Sequence, residues 1–316
     1  MKYLLTGGAG FIGSHFCENV LRNGHTVIAI DNFNDYYNPE IKRQNCAAFK
    51  DNPQVELIDG DILDTSLLDK LFEKNDFDVI VHLAARAGVR PSLSQPLLYE
   101  RVNIQGTMEL LQRAQQSGTP KFVMASSSSV YGNNKKVPFS EDDPVDNPIS
   151  PYAATKKACE LIGYTYHHLY NMNVTCLRFF TVYGPRQRPD MAIHKFTKLI
   201  ANGEPIPVYG DGTTRRDYTY ITDIIDGIEK SVQHCDGYHI YNLGESRTIQ
   251  LHELISLIEE SYGKKAIIDR LPMQPGDVEC TYADISKAQA EIGYAPKVDI
   301  RDGIPEFVKW YKKHHH

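Results

Sequence analysis

Thr6-Gly-Gly-Ala-Gly-Phe-Ile-Gly13 is the stretch on which the reading of this chain turns. From Gly8 it reads G-x-G-x-x-G. The short apolar run Tyr3-Leu4-Leu5 precedes it, and Phe11, Ile12, Phe16, Val20 and Leu21 follow at helical spacing. The pattern is strand, tight turn, helix. Such glycines let the backbone turn sharply and approach a pyrophosphate, while the helix N-terminus presents unpaired N–H groups and partial positive charge. Gly7, Gly10, Phe11, Ile12 and Gly13 are therefore the expected contacts of a dinucleotide. Thr26-Val27-Ile28-Ala29-Ile30 then reads as a buried strand ending at Asp31, close to the spacing of about 20 residues at which the fingerprint wants an acidic residue. Asp31 would accept hydrogen bonds from ribose hydroxyls and repel a 2′-phosphate. No Arg directly follows to offset that charge, so the expected cofactor is NAD rather than NADP.

Length and composition set the frame. The 316 residues exceed what one hydrophobic core usually organises, which favours a large domain with a smaller one. Apolar and charged fractions are those of an ordinary globular protein. A net charge of −6 speaks against a nucleic-acid partner, which calls for a basic face. No apolar run approaches the ~18 residues of a membrane span, and the N-terminus reads as a core strand rather than a signal peptide, so a cytoplasmic protein is expected. The six cysteines are scattered without a C-x-x-C pair, and neither they nor the histidines show metal-ligand spacing; buried thiols and no metal are expected. His314, His315 and His316 resemble the remnant of a purification tag.

Downstream the alternation continues. Val55–Ile58 reads as a strand, Thr65–Lys74 as a helix, and Asp78–Ala85 as a continuously apolar strand. A long helix is expected from about Pro96 to Ser117, a strand over Lys121–Ala125, a helix over Pro151–Tyr170 and a strand over Val174–Arg178. Strands alternating with helices predict a doubly wound parallel sheet, a Rossmann-type α/β fold, over residues 1–178. Beyond Phe179 the texture changes. Prolines and glycines separate shorter elements, and 179–313 reads as a smaller α/β substrate domain interleaved with the first.

In such a sheet the ligand sits beyond the carboxyl ends of the strands. There the sequence places Ser126-Ser127-Ser128-Ser129 and, opening the next helix, Tyr152-Ala-Ala-Thr-Lys156. Tyr and Lys at i and i+4 share one helical face. A phenol is a poor base at neutral pH. An ammonium one turn away, with the positive charge of an oxidised nicotinamide, favours its phenolate. Lys156 is also placed to bond the nicotinamide ribose, and a serine of the loop would share the proton of an alcohol undergoing oxidation. His82, His194 and His239 lie in apolar settings and read as structural.

These residues carry a resemblance that covers nearly the whole chain. Thr6–Gly13, His82-Leu-Ala-Ala85, Ser127-Ser-Ser-Val-Tyr-Gly132 and Tyr152-x-x-x-Lys156 resemble the motifs of the extended short-chain dehydrogenases, in particular the nucleotide-sugar epimerases. The resemblance implies Ser127, Tyr152 and Lys156 as the catalytic set. It also places Asp61 and Ile62 beside the adenine, with Leu83, Ala84, Ala85 and Asn103 lining the cofactor. Further stretches sharpen it: Asp31-Asn-Phe-Asn-Asp-Tyr-Tyr37 with Lys42-Arg43, Arg178-Phe-Phe-Thr-Val-Tyr-Gly-Pro185 with Arg188-Pro-Asp-Met191, and Pro272-Met-Gln-Pro-Gly-Asp277. These are similar to UDP-glucuronate 4-epimerases, and they add Asn32 and Lys42 to the cofactor side. The implied reaction inverts C4 of UDP-glucuronate through a 4-keto sugar, with NAD regenerated in each cycle and a homodimer as the expected assembly.

The sugar carboxylate wants several short donors, and Ser128, Ser129 and Thr181 offer hydroxyls, with Arg90 and Arg188 as candidate cations. Arg216 is the candidate for the UDP diphosphate, with Arg215 as its rival; Gln274 and Asp277 are placed toward the uridine ribose or phosphate. Asp217 and Asp223 read as loop braces. At this level a 4-epimerase of neutral UDP-hexoses and a UDP-glucuronate decarboxylase remain alternatives, and a non-enzymatic NAD-binding regulator is a rival of another class.

Overall fold

Seven strands form the centre of the molecule. They are β1 (Lys2–Thr6), β2 (Thr26–Asp31), β3 (Val55–Asp59), β4 (Val79–His82), β5 (Lys121–Ser127), β6 (Asn173–Phe179) and an edge strand, Tyr238–Leu243. The computed structural model describes residues 1–272 and 279–315. Side chains alternate along each strand between two buried layers. Tyr3, Leu5, Val27, Ala29, Val79 and Val81 face one; Leu4, Ile28, Ile30, Ile80, Phe122 and Met124 face the other. A sheet buried on both faces is what near-continuous apolar strands imply. All pairings are parallel, in the order Tyr238–Leu243, β6, β5, β4, β1, β2, β3.

Helices cover both faces. α1 (Phe11–Arg22) and the helix Ile221–Gln233 lie on one side; α3 (Thr65–Lys74), α6 (Gly106–Ser117) and α7 (Pro151–Tyr170) lie on the other. α2 (Pro39–Cys46) follows the end of β2. The fold is doubly wound, with the order reversing between β1 and β4, where a crevice opens beyond the strand ends.

Two expectations change. The helix expected from Pro96 to Ser117 is broken: α4 (Val89–Ser94) and α5 (Pro96–Tyr99) precede a π-helical turn over Glu100–Gln105, and only then does α6 begin. Gln95 stands before a proline, which keeps it out of helical backbone (φ −132°, ψ 49°) and separates α4 from α5. The strand expected to reach Ala85 ends at His82, whose ring is bonded at 2.7 Å to Thr6 Oγ1 and at 3.0 Å to Thr107 Oγ1. The sheet also draws its edge strand from beyond residue 178, so the nucleotide-binding layer is not confined to 1–178.

The rest of the chain after β6 builds a third apolar cluster. Helices Ala192–Asn202, Leu251–Tyr262 and Ile300–His314 pack Ile193, Phe196, Leu254, Ile258, Ile304 and Phe307 against a parallel pair of strands, Pro205–Tyr209 and Ile267–Leu271. The last helix continues through His314. Cys17, Cys46, Cys159, Cys176 and Cys235 are buried free thiols, and Cys280 is half-buried.

Candidate active site

The strand ends open into a cavity of about 870 Å³. On one side lies the glycine turn. Gly7 has φ +72° and donates to Ile30 O at 2.8 Å; a Cβ there would stand 2.8 Å from Ala84 N, and one on Gly13 would stand 2.1 Å from Gly7 O. Only glycine lets these segments approach. Helix α1 begins after Gly10 with no side-chain cap, and Gly7, Gly10, Phe11, Ile12 and Gly13 line the cavity; the amides of Gly7, Gly8, Ala9 and Gly10 are used within the turn, which leaves the first-turn N–H groups of Phe11, Ile12 and Gly13 for a pyrophosphate. The residues fit a dinucleotide on this structural ground.

Asp31 ends β2 with its carboxylate at the cavity. Oδ1 accepts from Lys42 Nζ at 2.9 Å and Phe33 N at 3.0 Å, whereas Oδ2 has a single donor, Ala9 N at 3.2 Å, and keeps capacity for a ribose hydroxyl. Lys42, read from the sequence as a cofactor contact, lines the same wall as the buried counter-charge of Asp31. Asn32 donates to Asp61 Oδ2 at 2.8 Å and Asp61 Oδ1 accepts from Leu63 N, which joins the ends of β2 and β3 beside Ile62. Asn32, Asp61, Ile62, Leu83, Ala84 and Ala85 all line the cavity. Asn103 does not. It is 1% exposed, its side chain bonded to the backbone N and O of Arg86 and to Thr155 Oγ1. The π-helical turn carries it behind the wall, where it holds the β4 loop against α7.

The opposite wall carries the chemistry. Ser127, Ser128, Ser129, Tyr152, Lys156 and Thr181 come together there from β5, α7 and the segment after β6. Lys156 Nζ donates to Ala125 O at 2.8 Å, pinning α7 to the end of β5. Ser127 Oγ donates to Ser129 Oγ and accepts from Ser129 N, both at 3.1 Å. Ser150 caps α7 by accepting from Ala153 N at 3.1 Å, which sets the turn holding Tyr152. Two further aromatic rings that no motif marks as site residues stand beside this wall. Tyr99 meets Tyr152 edge-on at 6.1 Å, and the hydroxyls of Tyr99 and Tyr36 both donate to Ala87 O, at 2.7 and 2.8 Å. They come from α5 and from the loop after β2, and only the fold brings them together.

The arginines are rearranged relative to the sequence reading. Arg188 lines the cavity, but its guanidinium is engaged by both oxygens of Asp190, at 3.0 and 2.9 Å, and lies 5.4 Å over the Tyr36 ring. It is a neutralised pair, not a lone cation for a carboxylate. Arg90 lies away from the serines, 4.8 Å over Tyr209, in a second hollow of about 220 Å³ that it lines with Arg216, Asp190, Lys195, Phe196 and Tyr218. The Arg188–Asp190 pair thus stands between the two hollows. Arg215 bonds Thr248 Oγ1 instead. Asp217 braces its loop by accepting from the backbone N–H of Glu245, Ser246 and Ala283, and Asp223 accepts from Val298 N. Gln274 and Asp277 lie outside the described residues. His82 is fully enclosed, and burial pulls its pKa down to about 3, as a neutral structural ring requires. Among the described residues no group of three His, Cys, Asp or Glu is placed to hold a metal ion.

A cofactor cradle and a Ser/Tyr/Lys wall thus face one cavity. The family model for GDP-mannose 4,6-dehydratase matches residues 4–307. The chain belongs to that family. Within this branch of the extended short-chain dehydrogenases, it is 43% identical to a protein of Thermodesulfobacterium geofontis named UDP-glucuronate 4-epimerase, over 98% of this chain and 96% of the other. Its fold matches the crystal structure of UDP-glucuronic acid 4-epimerase from Bacillus cereus in complex with UDP-glucuronic acid and NAD, with a TM-score of 0.91, 36% identity and 99% of each chain covered. The family's reach is wider than one substrate: UDP-glucose 4-epimerase from Thermotoga maritima, solved with UDP-glucose, matches with a TM-score of 0.92 and 31% identity over the full length of both chains.

Proposed function

We propose that this chain is an NAD-dependent isomerase that converts UDP-glucuronate to UDP-galacturonate by inverting C4. The observation that carries the reading is the wall on which Ser127–Ser129, Tyr152, Lys156 and Thr181 meet across the cavity from the glycine cradle and Asp31. Higher identity to a relative named for the acid sugar than to one named for UDP-glucose supports the acid over a neutral hexose.

The residues divide the work. NAD, when bound, accepts the C4 hydride and returns it to the opposite face. Tyr152 removes the proton of the 4-hydroxyl and later gives it back, with Lys156 one turn along α7 on the same wall. Ser127 bonds the same oxygen and holds it in line. Bonds and charges balance over the cycle: the sugar is oxidised to a 4-keto form, turns over and is reduced. The keto form of glucuronate is a β-keto acid, prone to lose carbon dioxide when its carboxylate stands perpendicular to the carbonyl plane. Ser128, Ser129 and Thr181 hold the carboxylate by hydroxyl hydrogen bonds and keep it from that orientation. Arg216, rather than Arg215, faces the second hollow and holds the diphosphate there. In this reading residues 179–313 mainly serve the UDP-sugar.

The deciding experiment incubates the purified protein with UDP-glucuronate, without added NAD, and follows the products by NMR. UDP-galacturonate is expected. UDP-xylose or its 4-keto precursor would establish a decarboxylase instead, and turnover of UDP-glucose alone would remove the carboxylate role of Thr181. We further propose a cytoplasmic homodimer joined through α6 and α7, whose Met108, Leu161, Tyr164 and Tyr170 are exposed. Sedimentation equilibrium should give twice the chain mass, and Leu161→Glu should give monomers; a wild-type monomer would overturn it. Among the described residues no helix is long and apolar enough to cross a membrane.

A further inference from the structure

Beneath the serine loop lies a buried ionic network that the mechanism above does not use. Arg178 on β6 and Glu160 on α7 are each 1% exposed and form a two-pronged pair, Nε to Oε1 at 2.8 Å and Nη2 to Oε2 at 2.9 Å. The pair grips both ends of the serine run. Ser126, the first residue of the run, donates from Oγ to Glu160 Oε1 at 2.6 Å. Arg178 Nη1 donates to the hydroxyl of Tyr131 at 2.9 Å, after the run. Tyr131 in turn donates to Asn242 Oδ1 at 2.7 Å, tying the network to the edge strand Tyr238–Leu243. Burial alone would raise the Glu160 pKa, but the Arg178 hydrogen bonds and charge reverse this and hold it below the usual carboxylate range.

An ion pair this deep is a poor device for stability. Desolvation cancels much of the attraction, and well-packed apolar residues of similar volume often do as well or better. What the pair supplies is registry. Glu160 lies one helical turn from Lys156 and two from Tyr152, on the face turned to β5, so α7 is stitched to the strand end twice in succession: Lys156 to Ala125 O and Glu160 to Ser126. We propose that the buried Glu160–Arg178 pair is a positioning element for the reaction, setting where the Ser127 hydroxyl stands relative to the Tyr152 and Lys156 side chains. Neither residue touches substrate. They act through Ser126 and Tyr131, which bracket the loop. The inference rests on the assignment of Ser127, Tyr152 and Lys156 made above.

The test compares kcat, KM for UDP-glucuronate, bound NAD and melting temperature for Ser126→Ala, Glu160→Gln, their double mutant, Glu160→Met with Arg178→Met, and Tyr152→Phe. Misplacement of reacting groups costs rate rather than binding, so Ser126→Ala and Glu160→Gln should each lower kcat about tenfold to a hundredfold, with KM and NAD content within about twofold. The double mutant should be no slower than Glu160→Gln, because both changes cut one connection. Unchanged kcat in Ser126→Ala, with only the melting temperature lowered, would reduce the pair to a structural role. Full turnover in the doubly apolar variant would overturn the proposal as well. Should Glu160→Gln fail to fold, Ser126→Ala decides alone, since it leaves both charges paired. Tyr152→Phe separates the two levels. If it keeps turnover, the underlying site assignment fails; if it is inactive while Ser126→Ala is normal, only the positioning role fails.

Discussion

Thr181 opens the short strand Thr181–Tyr183, its backbone N donating to Asp217 O at 3.1 Å while its side chain reaches the cavity. Its fold position is therefore set by the main chain, and the hydroxyl is free to serve the ligand. Thr181→Ala should weaken UDP-glucuronate binding or increase the decarboxylated by-product by about tenfold, the worth of one hydrogen bond to a charged group. Product ratios by NMR beside binding calorimetry measure both; no change in either would remove Thr181 from the carboxylate. At this scale the sequence was most legible where spacing itself carries chemistry, as in Gly8–Gly13 and Tyr152–Lys156. It was least legible where pairing depends on an irregular loop. Residues two apart seldom meet in a helix or strand, so the bidentate grip of Asp190 on Arg188 follows from the turn around them and not from any local pattern.

Helix α7 shows how an element conveys precision to a site. Its first turn is fixed by the Ser150 cap and Pro151, its middle by Lys156 and Glu160, and Gly163 lets it lie against β5, where a Cβ would come 2.8 Å from Met124 Cε. Ser150→Ala should cost about 1 kcal/mol, seen as a melting temperature lower by about 2–4 °C. Because the cap lies two residues before Tyr152, kcat should fall with it; a lower melting temperature with normal kcat would show that the cap serves the helix alone. α7 and α3 were readable as the connections between clear apolar strands, and each starts at a capping residue, Ser150 and Asp64. The π-helical turn at Glu100–Gln105 was not. Its sequence is helical in propensity, and only packing decides where an extra residue is accommodated. The strand Tyr238–Leu243 was missed for a related reason: His239 and Asn242 interrupt its apolar pattern, and the partners that satisfy Asn242 lie far away in sequence.

At the scale of the whole molecule, a cluster of buried acids links the segments after β6. Glu245 is 9% exposed, its Oε2 has no hydrogen-bond partner, and burial together with the nearby charges of Asp223 and Asp217 raises its pKa to about 8. In the unfolded chain this carboxyl loses its proton near its ordinary value of about 4.3, whereas in the fold it keeps it to about 8. The unfolded state then binds fewer protons across that window, and stability drains away as pH rises through it. Glu245→Gln should therefore melt higher than the wild type by a margin that grows from pH 5 to about pH 8 and then levels off. A margin independent of pH would show that Glu245 is ionised in the fold. The edge strand has a consequence of another kind. The chain leaves the central sheet at Phe179 and returns to it only at Tyr238, so a polypeptide emerging from the ribosome carries β6 with one side of its backbone unpaired while some sixty further residues are made. During synthesis that margin, with Val174, Cys176 and Leu177 beside it, is the surface on which two nascent chains would meet and aggregate. Cutting the gene after residue 178 would make this passing exposure permanent.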